Sequence, residues 1–316
     1  MADQGRRLQT RRELLRAALG ASAIAVGAPI LGGSAAWAQA AQDTGGTVKL
    51  AEDLYLLKLP GEANILAQID AKGVLLVDGG SAAGSDAVMK AVAALPNAGT
   101  VHTLFNTHWH PEQTGSNERL GKAGATIIAH ENTRLWLTQN VNPPYDTKVF
   151  KKLPKIAQPN KTFYTSGKLE SDVRYGYVAD APHTDGDIYV YFPKQNVLAA
   201  GDAVSGEGWP VVDWWTGGWI GGIVGGLNRL QTVANADTRI VPARGPVLSL
   251  ADLRGQSEMF GTIYDRLSQM INRGRGPSEA VEAKPTKEFD SRVAGNPDVF
   301  VRRAFESLWA YLSPDA

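Results

Sequence analysis

Cysteine is absent from the 316 residues, which excludes disulfides, thiolate nucleophiles and cysteine-bound zinc. A transition-metal site would have to be built from imidazole and carboxylate, and the chain holds only five histidines. An excess of either charge is also missing. The 32 basic residues balance the 32 acidic ones, which argues against nucleic acid as a partner. What the chain has in quantity is apolar side chain, 43% of its residues. A chain of this length can bury a full core without covalent or metal staples. Its 34 glycines cluster, as expected where backbones turn tightly at strand ends.

The first segment reads as an address. Thr10-Arg11-Arg12-Glu13-Leu14-Leu15-Arg16 precedes a mildly apolar Ala/Gly-rich run over 17–36, and Ala36-Trp37-Ala38 offers a small-x-small cleavage site. The pattern predicts a twin-arginine signal peptide over 1–38, with the mature chain starting near Gln39. An N-terminal membrane anchor is the competing reading, against which the Gly and Pro content weighs. Export places the mature protein in the periplasm or outside the cell, with no stable membrane association after cleavage.

Beyond a polar linker at 39–47, strand-like runs at 54–59, 64–69 and 73–77 predict an antiparallel meander. Strands at 101–106 and 125–129 follow, with helices at 85–95, 115–122 and 131–139. The Pro/Lys-rich stretch 140–161 reads as a surface excursion that could lie over a site. Strands at 173–179, 188–192, 196–200 and 239–242 then alternate with a helix at 220–234. Helices at 250–272, 278–282 and 298–312 close the chain. The alternation predicts a layered α/β sandwich with polar residues at one rim of its sheets. Residues 39–316 are expected to form a single domain whose C-terminal part, 250–316, is helical.

The most informative stretch is Thr107-His108-Trp109-His110-Pro111-Glu112-Gln113-Thr114-Gly115-Ser116-Asn117, directly after the apolar run 101–105. In extended backbone, residues i and i+2 point to the same side. His108 and His110 can therefore face one point, and neutral imidazole is a common zinc ligand. On these residues alone, two surface histidines in a loop is an equal reading. Trp209, Trp214, Trp215 and Trp219 crowd a Gly-rich segment; they either line an aromatic pocket or fill the seam between a sheet and the following helix.

Five ordered motifs resemble the metallo-β-lactamase superfamily. They are Leu76-Val77-Asp78-Gly79-Gly80, residues 106–117, Pro182-His183-Thr184-Asp185-Gly186-Asp187, Leu198-Ala199-Ala200-Gly201-Asp202, and Val241-Pro242-Ala243-Arg244-Gly245-Pro246-Val247. The closing helices, with Pro285-Thr286-Lys287-Glu288-Phe289-Asp290, are similar to its quinoprotein-relay-type branch. The resemblance implies an αββα sandwich with additional C-terminal helices. It also implies metal ligands His108, His110 and His183, a bridging Asp202, and a buried Asp78 bracing the metal loop. His102 and His130 fall outside the motifs and are expected to be structural.

Departures from the family pattern sharpen the expectation. Glu112 stands where two-metal members have Asp, and Gln113 and Arg244 stand where they have His. One zinc ion is therefore expected, with Arg244 taking the second cation's place by pairing with Asp202 or Glu112. The implied activity is hydrolysis of an ester, lactone or amide bond in a small-molecule substrate. Asp202 or Glu112 would orient or deprotonate the attacking water, and Arg244 would anchor a carboxylate or stabilise an oxyanion. A metal- or ligand-binding protein of the same fold, without hydrolytic activity, is the competing reading.

Overall fold

Strand β2 (Leu54–Lys58) carries apolar side chains on both faces, and the architecture follows from that. Leu54 and Leu56 join one buried cluster while Tyr55 and Leu57 join another. A strand apolar on both sides must be covered on both. The computed structural model describes residues 45–312; the expected signal peptide lies outside them. Among the described residues, no helix is long and apolar enough to cross a membrane.

β2 belongs to a seven-stranded sheet in sequence order. It comprises β1 (Gly46–Lys49), β2, β3 (Ile65–Asp70), β4 (Gly73–Val77), β5 (Val101–Phe105), β6 (Thr126–His130) and β7 (Lys161–Phe163). The first four strands pair antiparallel, as the predicted meander requires, and β4 to β7 pair parallel. The second sheet holds β8 (Ser166–Lys168), β9 (Arg174–Tyr177), β10 (Ile188–Phe192), β11 (Val197–Gly201) and β12 (Arg239–Pro242). Its order is β12-β11-β10-β9-β8, antiparallel except for the β11–β12 pair.

The sheets pack face to face. Leu54, Leu66, Leu75, Val77, Phe105 and Ile128 meet Ile188, Val190, Phe192, Val197 and Val241 in one cluster. On the outer face of the first sheet lie α1 (Ser85–Ala93), through Val88 and Val92, and α3 (Asn117–Lys122), through Leu120. The outer face of the second sheet is covered by α5 (Ile220–Val233), α6 (Leu250–Asn272) and α8 (Pro297–Leu312). Ile223, Leu227, Phe260, Ile263, Phe300 and Phe305 supply the contact. Ser249 and Asp252 form a reciprocal capping box at the start of α6. The result is the expected αββα sandwich with additional C-terminal helices, α7 (Pro277–Glu282) among them.

Three details differ from expectation. The linker at 39–47 gives way to an exposed edge strand, β1. The predicted helix at 115–122 is present as α3, and an additional short helix, α2 (Pro111–Thr114), precedes it. Pro111 occupies the first helical position, where its missing N–H costs nothing. The excursion after α4 (Glu131–Leu137) yields β7 near its end, and β8 follows.

Candidate metal centre

Each ligand arrives from the end of a strand. β5 ends at Phe105, and Thr107 then donates its backbone N–H to Asp78 Oδ1 at 2.8 Å and its hydroxyl to Asp78 Oδ2 at 2.9 Å. Asp78 itself closes β4 in the left-handed region, at φ 64°. Burial pushes its carboxyl up to about 8, against the pull of the Thr107 hydrogen bonds. Asn106 and Asn117 exchange amide hydrogen bonds at 3.0 and 2.8 Å, closing the loop behind the histidines. Gly115 lets this loop press on the β4–α1 turn, since a Cβ there would lie 2.1 Å from Ala82 N.

His183 sits on the turn before β10. Asp187 holds that turn, accepting from the N–H groups of His183 and Thr184 at 2.7 and 2.9 Å. Asp185 accepts from the indole of Trp136 at 2.7 Å. Both acids serve the turn. Gly218 passes so close that a Cβ would lie 1.9 Å from His183 O.

The three imidazoles converge. His108, His110 and His183 offer ligand atoms all within 4.8 Å of one another, and ring centroids lie 4.6 to 4.8 Å apart. The hydrogen bonds fix which nitrogens face inward. His183 Nδ1–H donates to Val211 O at 2.7 Å, so its Nε2 carries a lone pair. Asp213 Oδ2 accepts from His110 Nε2–H at 2.9 Å, which leaves Nδ1 bare. Thr107 Oγ1 gives its proton to Asp78 and so accepts from His108 Nδ1, at 3.2 Å. His108 Nε2 is then a buried nitrogen with no hydrogen-bond partner.

Those lone pairs fit a metal ion. His110 Nδ1 and His183 Nε2 are 3.1 Å apart, a separation that demands a positive charge between them, proton or metal. Two nitrogens on a tetrahedral zinc stand about 3.3 Å apart, given bonds of about 2.0–2.1 Å. The titration of the rings agrees. Burial holds His108 well below its usual range, and the charges of His183 and His110 add to this. Burial also opposes a charged His183, but Asp202 and Asp187 outweigh it and raise that ring. The neighbouring carboxylates thus favour positive charge at the triad.

Asp202, at the end of β11, stands beside the triad with Oδ2 3.5 Å from His108 Nε2. Its side chain is 31% exposed and faces the cavity that His110, His183, Glu112, Gln113 and Arg244 also line. The expected ion pair of Arg244 with Asp202 or Glu112 is not formed. Arg244 is exposed and, among the described residues, has no carboxylate partner. Gln113 takes that place instead, donating Nε2–H to Asp202 Oδ2 at 3.3 Å. The physical reason lies in the backbone. Asn64 fixes the Arg244 loop, donating to Pro242 O at 2.9 Å and Gly245 O at 3.1 Å. The loop thus leaves Arg244 at the rim, whereas Gln113 is 1% exposed and already inside.

Two residues were missed in the sequence. Asp213 is 2% exposed and accepts from His110, from Thr216 Oγ1 at 2.6 Å and from the Tyr145 hydroxyl. Burial would raise its pKa; the hydrogen bonds and the His110 charge outweigh this and hold it at about 2. An acid isolated between Val212 and Trp214 was the available signal, because a carboxylate in an apolar run needs a buried partner. Tyr145 lies in the excursion, whose residues 141 and 150 pair as a bridge. Pro143, Tyr145, Lys148 and Phe150 join the cavity wall, so the excursion does border the site. Of the four tryptophans, Trp209 lines the cavity. Trp219 stacks on Tyr311 at 3.7 Å, and Trp215 is 47% exposed.

His102 and His130 are satisfied structurally. His102 bonds Thr103 Oγ1 and Asp70 Oδ1 at 2.9 and 3.2 Å. His130 caps α4, accepting from Asn132 N at 3.2 Å.

An αββα sandwich with three bare imidazole nitrogens at one end of its sheets defines the class of protein. The sequence model of the metallo-beta-lactamase superfamily matches residues 60–243, and the chain belongs to that superfamily. Its fold is similar to that of the DIM-1 metallo-beta-lactamase, with a TM-score of 0.54, 17% identity, and coverage of 69% of this chain and 97% of that one. A metallo-beta-lactamase from Pontibacter korlensis gives 0.53, 17%, 69% and 99% in the same terms. A double mutant of the sec-alkyl sulfatase PisA1 gives a TM-score of 0.62 at 13% identity over 86% of this chain and 51% of that one. No curated protein matches the chain.

Proposed function

We propose that the protein is an exported zinc-dependent hydrolase with one metal ion, cleaving an ester, lactone or amide bond of a small molecule. We place it in the quinoprotein-relay-type branch, on the closing helices and the 285–290 motif. The observation that carries the reading is the set of three inward-facing lone pairs, with Gln113 hydrogen-bonded to Asp202 where a second metal's ligand would stand.

His108 Nε2, His110 Nδ1 and His183 Nε2 would hold the ion. Zinc held by three neutral imidazoles supplies Lewis acidity and can lower the pKa of water to about 7. Asp202 is the proton acceptor beside the triad, open to the cavity and oriented by Gln113. Glu112 shares the same wall and is the second candidate base. Arg244, at the rim and without a carboxylate partner among the described residues, is placed to meet a substrate carboxylate or a developing oxyanion. Export is supported by the twin arginines and the Ala36-Trp37-Ala38 site. The balance of charge supports a small-molecule partner over nucleic acid.

The replacements at 112, 113 and 244 also favour a second reading, a metal- or ligand-binding protein without turnover. Metal analysis and a panel of esters, lactones and amides separate the two. One zinc per chain with turnover abolished by His183→Ala supports the hydrolase. Zinc retained with no turnover anywhere on the panel supports the binder.

A further inference from the structure

Arg303 lies on α8, outside the residues 60–243 that the superfamily model matches, and it reaches the wall of the same cavity. It is half-buried, and among the described residues no carboxylate pairs with it. Its guanidinium carbon sits over the Tyr145 ring, 4.4 Å from the centroid. A cation on a ring face is held in place, yet the ring accepts none of its in-plane N–H groups in the usual sense. Arg303 therefore keeps a planar fork of donors that meets no acceptor among the described residues, the shape that carboxylate and sulfonate groups match.

Glu112, Asp146 and Glu207 also line this cavity, and Asp298 and Glu306 line a neighbouring one that Arg303 borders. Among the described residues none of them forms an ion pair with Arg303, and Asp298 is held by Lys284. Asp213 is committed to His110, Tyr145 and Thr216, and Asp202 to Gln113. The same cavity offers apolar wall from Phe150, Val204, Trp209 and Val211. We propose that Arg303 is a specificity-determining residue, recognising an anionic group on a substrate whose body is apolar. The C-terminal helices would then do more than cover the second sheet, since one of them delivers the arginine. The inference rests on the cavity being the ligand site, as in the hydrolase reading, and not on turnover.

Equilibrium binding to the full chain tests it, with phenylacetate and its neutral analogue phenylacetamide as probes. Wild type should bind phenylacetate about tenfold more tightly, the gap expected of one charge-assisted fork, and added salt should narrow the gap. Arg303→Gln should shrink the preference several-fold, to what Arg244 and a bound metal supply, while leaving phenylacetamide affinity within about twofold. A merely structural cation–π role would not discriminate by ligand charge in this way. Should that variant not fold, Arg303→Met keeps the unbranched stem against Tyr145 and must show the same loss. A preference undiminished in the folded variant, or its absence from wild type, overturns the inference. Because no turnover is measured, a failed hydrolase panel and a failed charge preference are separate results.

Discussion

His110 Nε2 and Asp213 Oδ2 stand 2.9 Å apart, one on the metal loop beyond the first sheet and the other in the loop beyond β11 of the second. Such a carboxylate fixes the tautomer and orientation of its imidazole, and loss of an outer partner of this kind typically costs about 10–100-fold in metal affinity. Asp213→Ala should weaken zinc binding by about that range, read by competition with a chelator. Tyr145→Phe removes one donor to the same carboxylate and should give a smaller loss. Unchanged affinity in Asp213→Ala would mean that this contact does not orient His110 for a metal.

Restoring the family residues should restore the second ion. Glu112→Asp, Gln113→His and Arg244→His together replace an amide and a guanidinium with ligands that zinc accepts. Metal content per chain is expected to rise from one to two by elemental analysis. A value that stays at one would show that the Arg244 loop, tied to Asn64, cannot bring position 244 into the site.

The same replacements bear on β-lactams. Function belongs to the site and not to the fold, and the residues at 112, 113 and 244 are not those of a two-metal member. Negligible carbapenem hydrolysis is the expected outcome in a spectrophotometric assay. Efficient turnover would contradict that expectation.

His130 gives a pH dependence that can be isolated. Burial lowers its pKa below the ordinary imidazole value, outweighing the Tyr164 hydrogen bond and the Glu131 charge, and its Nδ1 accepts from Asn132 N. The unfolded chain then binds more protons than the folded one just below pH ~6.5, so stability rises with pH through that window and is lost as the medium acidifies. His130→Asn keeps a capping oxygen and removes the titration. Its melting temperature should fall less than that of wild type between pH 7 and pH 5.

Phe105 is fully buried between the sheets, 5.0 Å from the Tyr175 ring, and immediately precedes the metal loop. Phe105→Ala should cost about 3–5 kcal/mol in denaturant unfolding. A loss below about 1 kcal/mol would show that the inter-sheet core is not closely packed there.

Elements with their own apolar signature were legible in the sequence. Strands β4 and β11 are buried throughout, and helices α5 and α6 show helical spacing of Leu, Ile and Phe against the second sheet. Strand β1 reads GTVK and is exposed along its length, while β7 and β8 are three residues each. Such edge strands exist because a neighbour offers hydrogen bonds, and that is tertiary information. The triad was legible because His108 and His110 share one extended turn and a motif marks His183. Asp213 and Tyr145 carry no spacing rule. Their partners lie 103 and 68 positions away along the chain.

Strand order has a last consequence. The chain finishes its first sheet at residue 163 before starting the second at 166. Two imidazoles emerge from the earlier half, and the third, with Asp202 and Asp213, from the later one. Neither half owns a working centre. On the proposed reading, the earlier half could not hold the ion before its counterpart is made, and metal capture would be a timestamp for the moment the halves close on each other.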